Sequence, residues 1–406
     1  MDKPGKIVVV SQHYPPDPTT TAAIMAEIAG HLAADHSVLV LSGTPGSRAA
    51  AAAPSHRAAV VEIKNRIPAK AALLRRAASE MSFTIRGFVM LLRTLQRGDV
   101  VLTVTAPFML PYAVAVAARL KRARSALVMH DLYPDVLVMA GLLKPASPVT
   151  RAIRIANALM FRMLDAVVTI GRDTERLLLR DSSLTRDKIR FIPNWATLVP
   201  AVRPIESDNP YRRQLAARFV AGLSGNLGFT HDPVVVFEAA RLLRDDPGIH
   251  FLLSGWGVGF DRLKQLQSDA RLPNVTLIER VPDDDLEQFL AAADVWLIPY
   301  RRHVAGVSVP SRFYNLLAVG RPVILVSDSD AEAALMVTES RLGWVVTPDR
   351  PDELAQAIRT ASVSADASMA ERAVAAARDF NLERAMTGYA SLIDALLQAS
   401  KPEGRP

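Results

Sequence analysis

The 406-residue sequence predicts an α/β protein built from two doubly wound parallel sheets. Short apolar runs alternate with helical patterns along the whole chain, which is typical of parallel sheets with helices on both faces. The length exceeds the size at which one hydrophobic core stops growing, so two domains of similar size are favoured. A polar, proline-containing stretch near the middle, residues 196–215, is the predicted linker.

Twelve apolar runs are the predicted strands. Six precede the linker, at residues 7–10, 38–41, 100–104, 126–129, 167–170 and 189–192. Six follow it, at residues 219–223, 249–253, 275–278, 295–298, 323–326 and 344–346. The predicted organisation is therefore a first domain at 1–195, the linker at 196–215, a second domain at 216–380, and a C-terminal helix with a polar tail at 381–406.

The composition excludes several kinds of chemistry. The chain contains no cysteine, so it has no disulfide, no thiolate nucleophile and no zinc–thiolate site, which fits a reducing compartment. Its first ten residues, MDKPGKIVVV, contain too short an apolar run for a signal peptide. We therefore expect a cytoplasmic protein.

One uncharged stretch, residues 100–118, reaches the length of a transmembrane helix. Two threonines and two prolines interrupt it, at Thr103, Thr105, Pro107 and Pro111. We interpret it as a buried strand, a loop and a helix of the first domain.

Positive charge is concentrated in the first half of the chain. Residues 1–200 carry 26 Lys/Arg and 14 Asp/Glu, a net charge of +12, whereas residues 201–406 carry 22 and 27, a net charge of −5. Much of the excess lies in the segment 66–97, where arginines alternate with apolar residues. Such a segment suits an anionic membrane surface, and the alternative is an ordinary surface helix with long arginine stems. Nucleic acid is not an expected partner, because stacking aromatics are scarce and no binding motif is present.

Ligands of open α/β sheets bind beyond the carboxyl ends of the strands, so the residues that follow each strand are the candidates for chemistry. The loop after the first strand offers four polar or aromatic side chains: His13, Tyr14, Thr20 and Thr21. The threonines can cap the next helix or bind a ligand. His130 and Asp131 follow the fourth strand, where they form either an acid/base or charge-stabilising pair or a purely structural one.

Three strand ends of the second domain carry features that favour a phosphate. Residues 224–228, SGNLG, and residues 254–259, SGWGVG, are small-residue turns that let backbone N–H groups approach an anion. A helix predicted at residues 311–319 begins with Ser311 and Arg312, close after Ser308, and its N-terminus and guanidinium both favour an anion. Taken alone, this helix start could be a simple cap with a solvated arginine. The convergence of three such strand ends favours a nucleoside diphosphate.

An acidic run at residues 283–285 resembles a metal-binding motif, but Pro282 precedes it and a helical pattern follows. Acidic residues in a first helical turn complement the helix dipole. We therefore expect no metal site there.

With these residues in view, the chain resembles the GT-B glycosyltransferases of family 4, in the bacterial exopolysaccharide and O-antigen (colanic-acid-like) branch. The resemblance runs along nearly the whole sequence, through YPPDPTTTA, HDLYPD, IPNW, SGNLG, LLSGWG, ADVWLIPY, VPSRFYNLLAVGRPVI and GWVVTPDRPDELAQAI. It implies two Rossmann-like domains that face an interdomain cleft, with the C-terminal helix crossing back to the first domain. It also implies a retaining transfer with no cofactor and no essential metal.

The resemblance implies a role for each candidate residue. His130 matches the histidine near the donor sugar, with Asp131 beside it, and Arg312 matches the basic residue that neutralises the leaving diphosphate. The expected donor-binding residues are Gly225, Asn226, Gly228, Gly255, Gly257, Ser308, Ser311, Arg312, Tyr314 and Asn315. The expected acceptor-binding residues are His13, Tyr14, Thr20 and Thr21.

Many family members carry two glutamates eight residues apart around the last of these helices, and this chain has Val307 and Asn315 in those places. Asn315 retains the capacity to hydrogen bond to a sugar hydroxyl or a ribose, without the charge. Three functions remain open. The first is a transferase that moves a sugar from a UDP-sugar, or secondly a GDP-sugar, to a lipid-linked or glycan acceptor in cell-surface polysaccharide synthesis, on the inner face of the membrane. The others are a catalytically degenerate binding or scaffold subunit and a sugar-nucleotide 2-epimerase.

Overall fold

The computed structural model describes residues 5–17, 19–43, 58–65, 73–181, 184–215, 219–364 and 367–400, which form two parallel sheets. The first sheet has seven strands in the order β3-β2-β1-β4-β5-β6-β7. Its strands are β1 (Ile7–Ser11), β2 (Val38–Gly43), β3 (Ala59–Ile63), β4 (Val100–Val104), β5 (Arg124–Met129), β6 (Ala166–Thr169) and β7 (Ile189–Phe191). The second sheet has six strands in the order β10-β9-β8-β11-β12-β13. Its strands are β8 (Phe219–Asn226), β9 (Ile249–Trp256), β10 (Val275–Ile278), β11 (Val295–Pro299), β12 (Val323–Val326) and β13 (Gly343–Val346).

Helices connect the strands and cover both faces of each sheet. Those before the linker are α1 (Thr20–Leu32), α2 (Leu73–Thr94), α3 (Leu110–Lys121), α4 (Asp135–Met139), α5 (Pro148–Met163) and α6 (Arg172–Asp181). Those after it are α7 (Pro233–Leu242), α8 (Val258–Ala270), α9 (Leu286–Ala291), α10 (Arg312–Ala318), α11 (Glu332–Glu339), α12 (Pro351–Ser364), α13 (Ala367–Asp379) and α14 (Leu382–Gln398). The α/β class with two doubly wound parallel sheets is confirmed.

Alternate residues of β1 divide the first domain into two hydrophobic layers. Ile7 and Val9 pack with α1 and with the C-terminal helix α14, through side chains that include Tyr389. Val8 and Val10 point to the other face and pack with α2 and α3. Because successive side chains of a strand point to opposite faces, a wholly apolar strand such as β1 is buried on both sides. The chain therefore ends on the domain in which it began.

Three details of the sequence prediction change. The strand β3 was missed because four of its five residues are exposed, which leaves no buried apolar run to detect. The strands β8 and β9 run three residues further than predicted, so Gly225 and Gly255 lie inside strands rather than in turns. The predicted helix at 311–319 is confirmed as α10, shorter by one residue at each end.

Two other predicted segments can be compared with the structure. The uncharged stretch 100–118 forms β4, a loop and most of α3, as predicted. Residues 283–285 form a 3₁₀ turn that leads into α9, so they do begin a helical segment. Within the described ranges, no helix combines the length and the apolarity that crossing a membrane requires.

Candidate active site

A cleft with a volume of about 680 Å³ lies between the carboxyl ends of the two sheets. The first domain contributes residues that follow β1, β4 and β5, together with the start of α2. The second domain contributes residues that follow β8 and β11, the end of β9, and the segment that leads into α10. The strand-end rule therefore identified the correct edge of both sheets.

The first glycine-rich segment lines the cleft and is shaped by the second. Gly225, Asn226 and Gly228 all line it, and Gly225 has a φ of 131°, which favours glycine. Gly255 pairs with Gly225 across the two strands, and a Cβ atom on Gly255 would lie 2.4 Å from the Gly225 carbonyl oxygen. A Cβ atom on Gly257 would lie 2.6 Å from the Asn226 side-chain oxygen. Gly255 and Gly257 do not line the cleft. Because they have no Cβ atom, the first glycine-rich segment can pack closely against them.

Arg312 supplies a largely buried positive charge to the second-domain side of the cleft. It is the first residue of α10, it lines the cleft, and it makes no ion pair or hydrogen bond with any residue that the structure describes. Its Nε atom lies 3.9 Å from the position that a Cβ atom on Gly225 would occupy. Burial lowers the pKa of its guanidinium, and the nearby Asp283 carboxylate opposes that shift. A desolvated, unpaired guanidinium beside a glycine strand end is suited to a phosphate.

Ser308 and Asp131 join the two domains at the base of the cleft. They form an isolated antiparallel bridge, and the backbone N–H of Leu132 donates to the carbonyl of Val307 at 3.1 Å. Both Ser308 and Asp131 line the cleft. Burial raises the pKa of the Asp131 carboxyl to about 6, against a hydrogen bond from Ser308 that lowers it. Asp131 is thus mostly ionised at pH 7 and places a negative charge in the cleft.

His130 precedes this carboxylate at the end of β5. Burial lowers the pKa of its imidazole to about 4, so the ring is uncharged at neutral pH. Its Nε2 atom is buried and has no hydrogen-bond partner in the described parts of the chain. The backbone N–H groups of His130 and Asp131 both donate to the Thr105 hydroxyl at 3.3 Å, which holds this strand end in place.

Two of the four acceptor candidates line the cleft and two do not. His13 and Thr20 line the cleft, and the His13 ring lies 2.7 Å from the Asp17 carboxylate. Thr21 belongs to the first turn of α1 and does not line the cleft. Tyr14 is buried in the core beneath, where burial raises the pKa of its hydroxyl to about 12. Only His13 and Thr20 are therefore within reach of a ligand.

Two donor candidates of α10 point away from the cleft, and this corrects the sequence prediction. The Asn315 oxygen accepts hydrogen bonds from the backbone N–H groups of Thr197, at 2.7 Å, and Leu198, at 3.3 Å. Its side-chain amide thus anchors the linker to α10. The Tyr314 ring is fully buried and packs against Phe380, 5.2 Å away between ring centroids. Ser311 and Ser308, by contrast, do line the cleft.

Sequence reasoning missed a reciprocal bracket between the domains, formed by Arg172, Asp173 and Glu332. The Asp173 carboxylate accepts the backbone N–H groups of Gly306, at 2.8 Å, and Glu332, at 2.9 Å. The Glu332 carboxylate accepts the backbone N–H of Arg172 at 2.7 Å and also its guanidinium. Each carboxylate therefore caps a helix start of the other domain, α11 or α6. Nothing in the local sequence signals such a contact, because its two halves lie about 160 residues apart.

Sequence reasoning also passed over Trp256, although it ends β9 and the strand-end rule would have found it. Its ring lines the cleft, and the Arg280 guanidinium lies 4.8 Å from the ring centroid. This pair extends the cationic wall of the second domain beyond Arg312. No group of three His, Asp or Glu side chains within the described residues is placed to hold a metal ion.

Comparison with known proteins identifies the family of this chain. The family model described as "Glycosyl transferase 4-like domain" matches residues 19–195, and that described as "Glycosyl transferases group 1" matches residues 219–362. The chain is 28% identical over 288 residues to WbjE of Pseudomonas aeruginosa, which is described as a glycosyltransferase. This alignment covers 70% of this chain and 72% of WbjE. It is 25% identical over 376 residues to WcaI of Escherichia coli K12, described as a colanic acid biosynthesis glycosyl transferase, covering 88% and 92% of the two chains.

The fold agrees with this relationship. The solved structure of Anabaena HepE in complex with UDP-glucose matches 96% of this chain and 99% of its own, with a TM-score of 0.69 and 17% identity. The two family models together span both sheets and the strand ends that form the cleft. The chain belongs to the GT-B glycosyltransferases of family 4, in the exopolysaccharide branch.

Proposed function

We propose that this glycosyltransferase moves a sugar, with retention of anomeric configuration, from a nucleoside-diphosphate sugar to a lipid-linked or glycan acceptor in cell-surface polysaccharide synthesis. A UDP-sugar is the first candidate for the donor and a GDP-sugar the second. The protein works without a cofactor or an essential metal, at the inner face of the cell membrane. The structural relative crystallised with UDP-glucose and the colanic acid relative support the donor class and the pathway class.

The observation that carries the proposal is the unpaired Arg312 beside the glycine strand end. A desolvated cation with no partner among the described residues has an unfavourable energy that a bound anion would relieve. The diphosphate lies against Gly225 and Gly228, where no side chain obstructs the backbone. Ser308 and Ser311 supply hydroxyl groups on the same wall.

The charges of the two walls suit the departure of a diphosphate. As the bond between the anomeric carbon and the phosphate oxygen breaks, negative charge grows on the diphosphate and is neutralised by Arg312. Positive charge grows on the sugar ring, and the Asp131 carboxylate stabilises it from the opposite wall. The acceptor hydroxyl oxygen then bonds to the anomeric carbon. In a single displacement, retention requires attack from the side of the leaving group, so the hydroxyl proton passes to an oxygen of the leaving phosphate.

The donor is identified by a thermal-shift panel of UDP, GDP, ADP and their common sugar conjugates. A ligand that binds only the folded state at 100 times its Kd stabilises it by about 2.7 kcal/mol, which is readily measured. We expect a larger shift with one sugar nucleotide than with its bare diphosphate. Retention is read from the anomeric proton coupling of the product by NMR. No shift with any nucleotide would contradict the proposed donor class and favour a degenerate subunit.

A further inference from the structure

Three neighbouring helices cover one face of the first sheet, and we call them the basic layer: α2, α3 and α5. Helix α3 lies between the other two and packs against both. Their buried sides meet the sheet through residues such as Phe83, Val114 and Met160. The opposite face of the same sheet is covered by α1 and α14. The outer side of the basic layer is therefore open to solvent in this chain.

Each helix of the basic layer exposes a row of large apolar side chains. The rows are Met81, Ile85 and Val89 on α2, Val116 and Leu120 on α3, and Ile155 and Leu159 on α5. Within each row the residues are four apart, so they lie on one side of their helix. All seven side chains are between 38% and 64% exposed. Scattered exposed apolar residues are normal, but three such rows on adjacent helices are not.

The same three helices carry many basic residues and almost no acidic ones. The three helices contain nine basic residues: Arg75, Arg76, Arg86, Arg93, Arg119, Lys121, Arg151, Arg154 and Arg162. Their single acidic residue is Glu80, which pairs with Arg76. Seven of the nine make no ion pair with any described residue: Arg75, Arg86, Arg93, Arg119, Lys121, Arg151 and Arg162. Exposed cations beside apolar rows are suited to an anionic partner that also accepts apolar side chains.

We propose that the basic layer is a docking surface for an anionic lipid bilayer, with the three apolar rows inserted at the level of the headgroups. Charge complementarity selects this occupant, because anionic lipids attract clustered Lys and Arg while the acyl boundary accepts the apolar rows between them. The surface extends the contact predicted from the segment 66–97, of which residues 66–72 lie outside the described ranges, to two further helices. A single amphipathic helix leaves the rotation of the protein about its axis free, whereas three adjacent helices fix it.

This orientation places the cleft at the lipid surface. Arg76 and Glu80 of α2 line the cleft near the beginning of the helix, while Ile85 and Val89 point outward further along it. Leu142, which is exposed, also lines the cleft, as do Leu137 and Phe108. Docking therefore brings the first-domain wall of the cleft beside the bilayer. If the protein has the proposed transferase function, this docking favours a lipid-linked acceptor over a soluble glycan.

The test is flotation of the full chain with vesicles of phosphatidylglycerol and phosphatidylcholine, and with vesicles of phosphatidylcholine alone. We expect binding to the anionic vesicles and a decrease as salt is added. The variant R93E/R119E/R162E should bind at least about 100-fold more weakly, since each basic residue near an anionic surface contributes about 1 kcal/mol. The variant I85S/L120S/L159S should also bind more weakly, with an unchanged salt dependence.

Matched controls come from the second domain. The variant R262E/R359E/R378E makes the same change in charge, and L242S/V258S/V363S removes apolar side chains that are between 53% and 85% exposed. Both should bind vesicles as the unaltered chain does. Nucleotide titration and circular dichroism of every variant separate this inference from the transferase function and from misfolding. Nucleotide binding without vesicle binding would overturn the docking surface alone.

Two other outcomes would also overturn it. Equal vesicle binding by the unaltered chain and both basic-layer variants would move the contact elsewhere on the protein. A concentration-dependent dimer in sedimentation experiments that the basic-layer variants abolish, with no vesicle binding, would assign the surface to a second copy of the chain.

Discussion

The two walls of the cleft differ in charge. The second-domain wall carries Arg312 and the glycines Gly225 and Gly228 among apolar and aromatic side chains such as Phe229 and Trp256, and none of its described lining residues is acidic. The first-domain wall has aromatic and aliphatic side chains such as Phe108 and Leu137, together with the Asp131 carboxylate and the ion pair of Glu80 with Arg76. The difference divides the reaction between the domains. One wall is suited to the anion that leaves, and the other to the cation that forms and the acceptor that attacks.

The largest effect is expected from Arg312→Ala. Loss of the cation should decrease kcat/KM about 100- to 1000-fold, the usual cost of removing one donor to a developing anion. Arg312→Lys should recover part of the loss, because an ammonium keeps the charge without the bidentate geometry. Arg359→Ala, which removes an exposed arginine of the same domain, is the control. Steady-state kinetics with equal losses in both variants would mean that Arg312 has no special role.

Asp131→Asn should lower kcat by about 100-fold while leaving the donor KM nearly unchanged, because it removes charge from the opposite wall. In the unaltered enzyme, kcat should decrease as the pH falls through about 6, where Asp131 takes up a proton. The Asp131→Asn variant should lack this decrease of kcat, which forms the acidic limb of the pH profile. His130, whose pKa is lowered to about 4, stays neutral from pH 5 to 8 and should add no limb near 6.5. A limb that persists near pH 6.5 in Asp131→Asn would contradict the neutral imidazole.

The same substitution should raise Tm at pH 8. Because burial raises the pKa of Asp131 to about 6 in the folded state, the folded state loses stability as the pH rises from about 4 to about 6, and the full loss is present at pH 8. At pH 4 the carboxyl is protonated in the fold, so the gain should largely vanish. Thermal denaturation at the two pH values measures the difference. An equal or lower Tm for Asp131→Asn at pH 8 would mean that the carboxylate is stabilised by its surroundings.

A smaller effect is expected where the walls are held together. Asp173→Asn removes charge-assisted hydrogen bonds to the backbone of Gly306 and Glu332, each worth about 1.5–3 kcal/mol. Because Gly306 leads to Ser308 and Arg312, the donor KM should rise several-fold more than kcat falls. Glu332→Gln should behave alike, and the double variant should lose less than the sum of the two. Strict additivity would show that the two carboxylates do not act as one bracket.

The smallest kinetic effect is expected from Asn315→Ala. The substitution removes the hydrogen bonds to the backbone N–H groups of Thr197 and Leu198, each worth about 0.5–1.5 kcal/mol, and should lower the free energy of unfolding by about 1–3 kcal/mol. Kinetic constants of the folded enzyme should stay within about twofold. A large rise in the donor KM at unchanged stability would restore the sequence-based prediction that Asn315 binds the donor.

These cases indicate which parts of the site can be predicted from the sequence. The positions of Gly225, Arg312 and Asp131 follow from local rules, because the carboxyl end of a parallel strand always meets the same sheet edge. The directions in which the Tyr314 and Asn315 side chains point depend on which elements pack against a seven-residue helix. No local sequence pattern encodes that packing. The bracket of Asp173 and Glu332 depends on how two domains meet. The strand β3 was missed because its exposed residues lack a buried run.

The central claim, that the two walls divide the reaction, is tested most directly by calorimetric titration of one nucleoside diphosphate into two variants. Arg312→Ala should weaken its binding at least about tenfold, because the diphosphate loses a charge-assisted contact. Asp131→Asn should keep the Kd within about twofold of the unaltered enzyme, or tighten it, because a negative charge has been removed from the cleft. Equal weakening in both variants, or weakening in Asp131→Asn alone, would contradict the division.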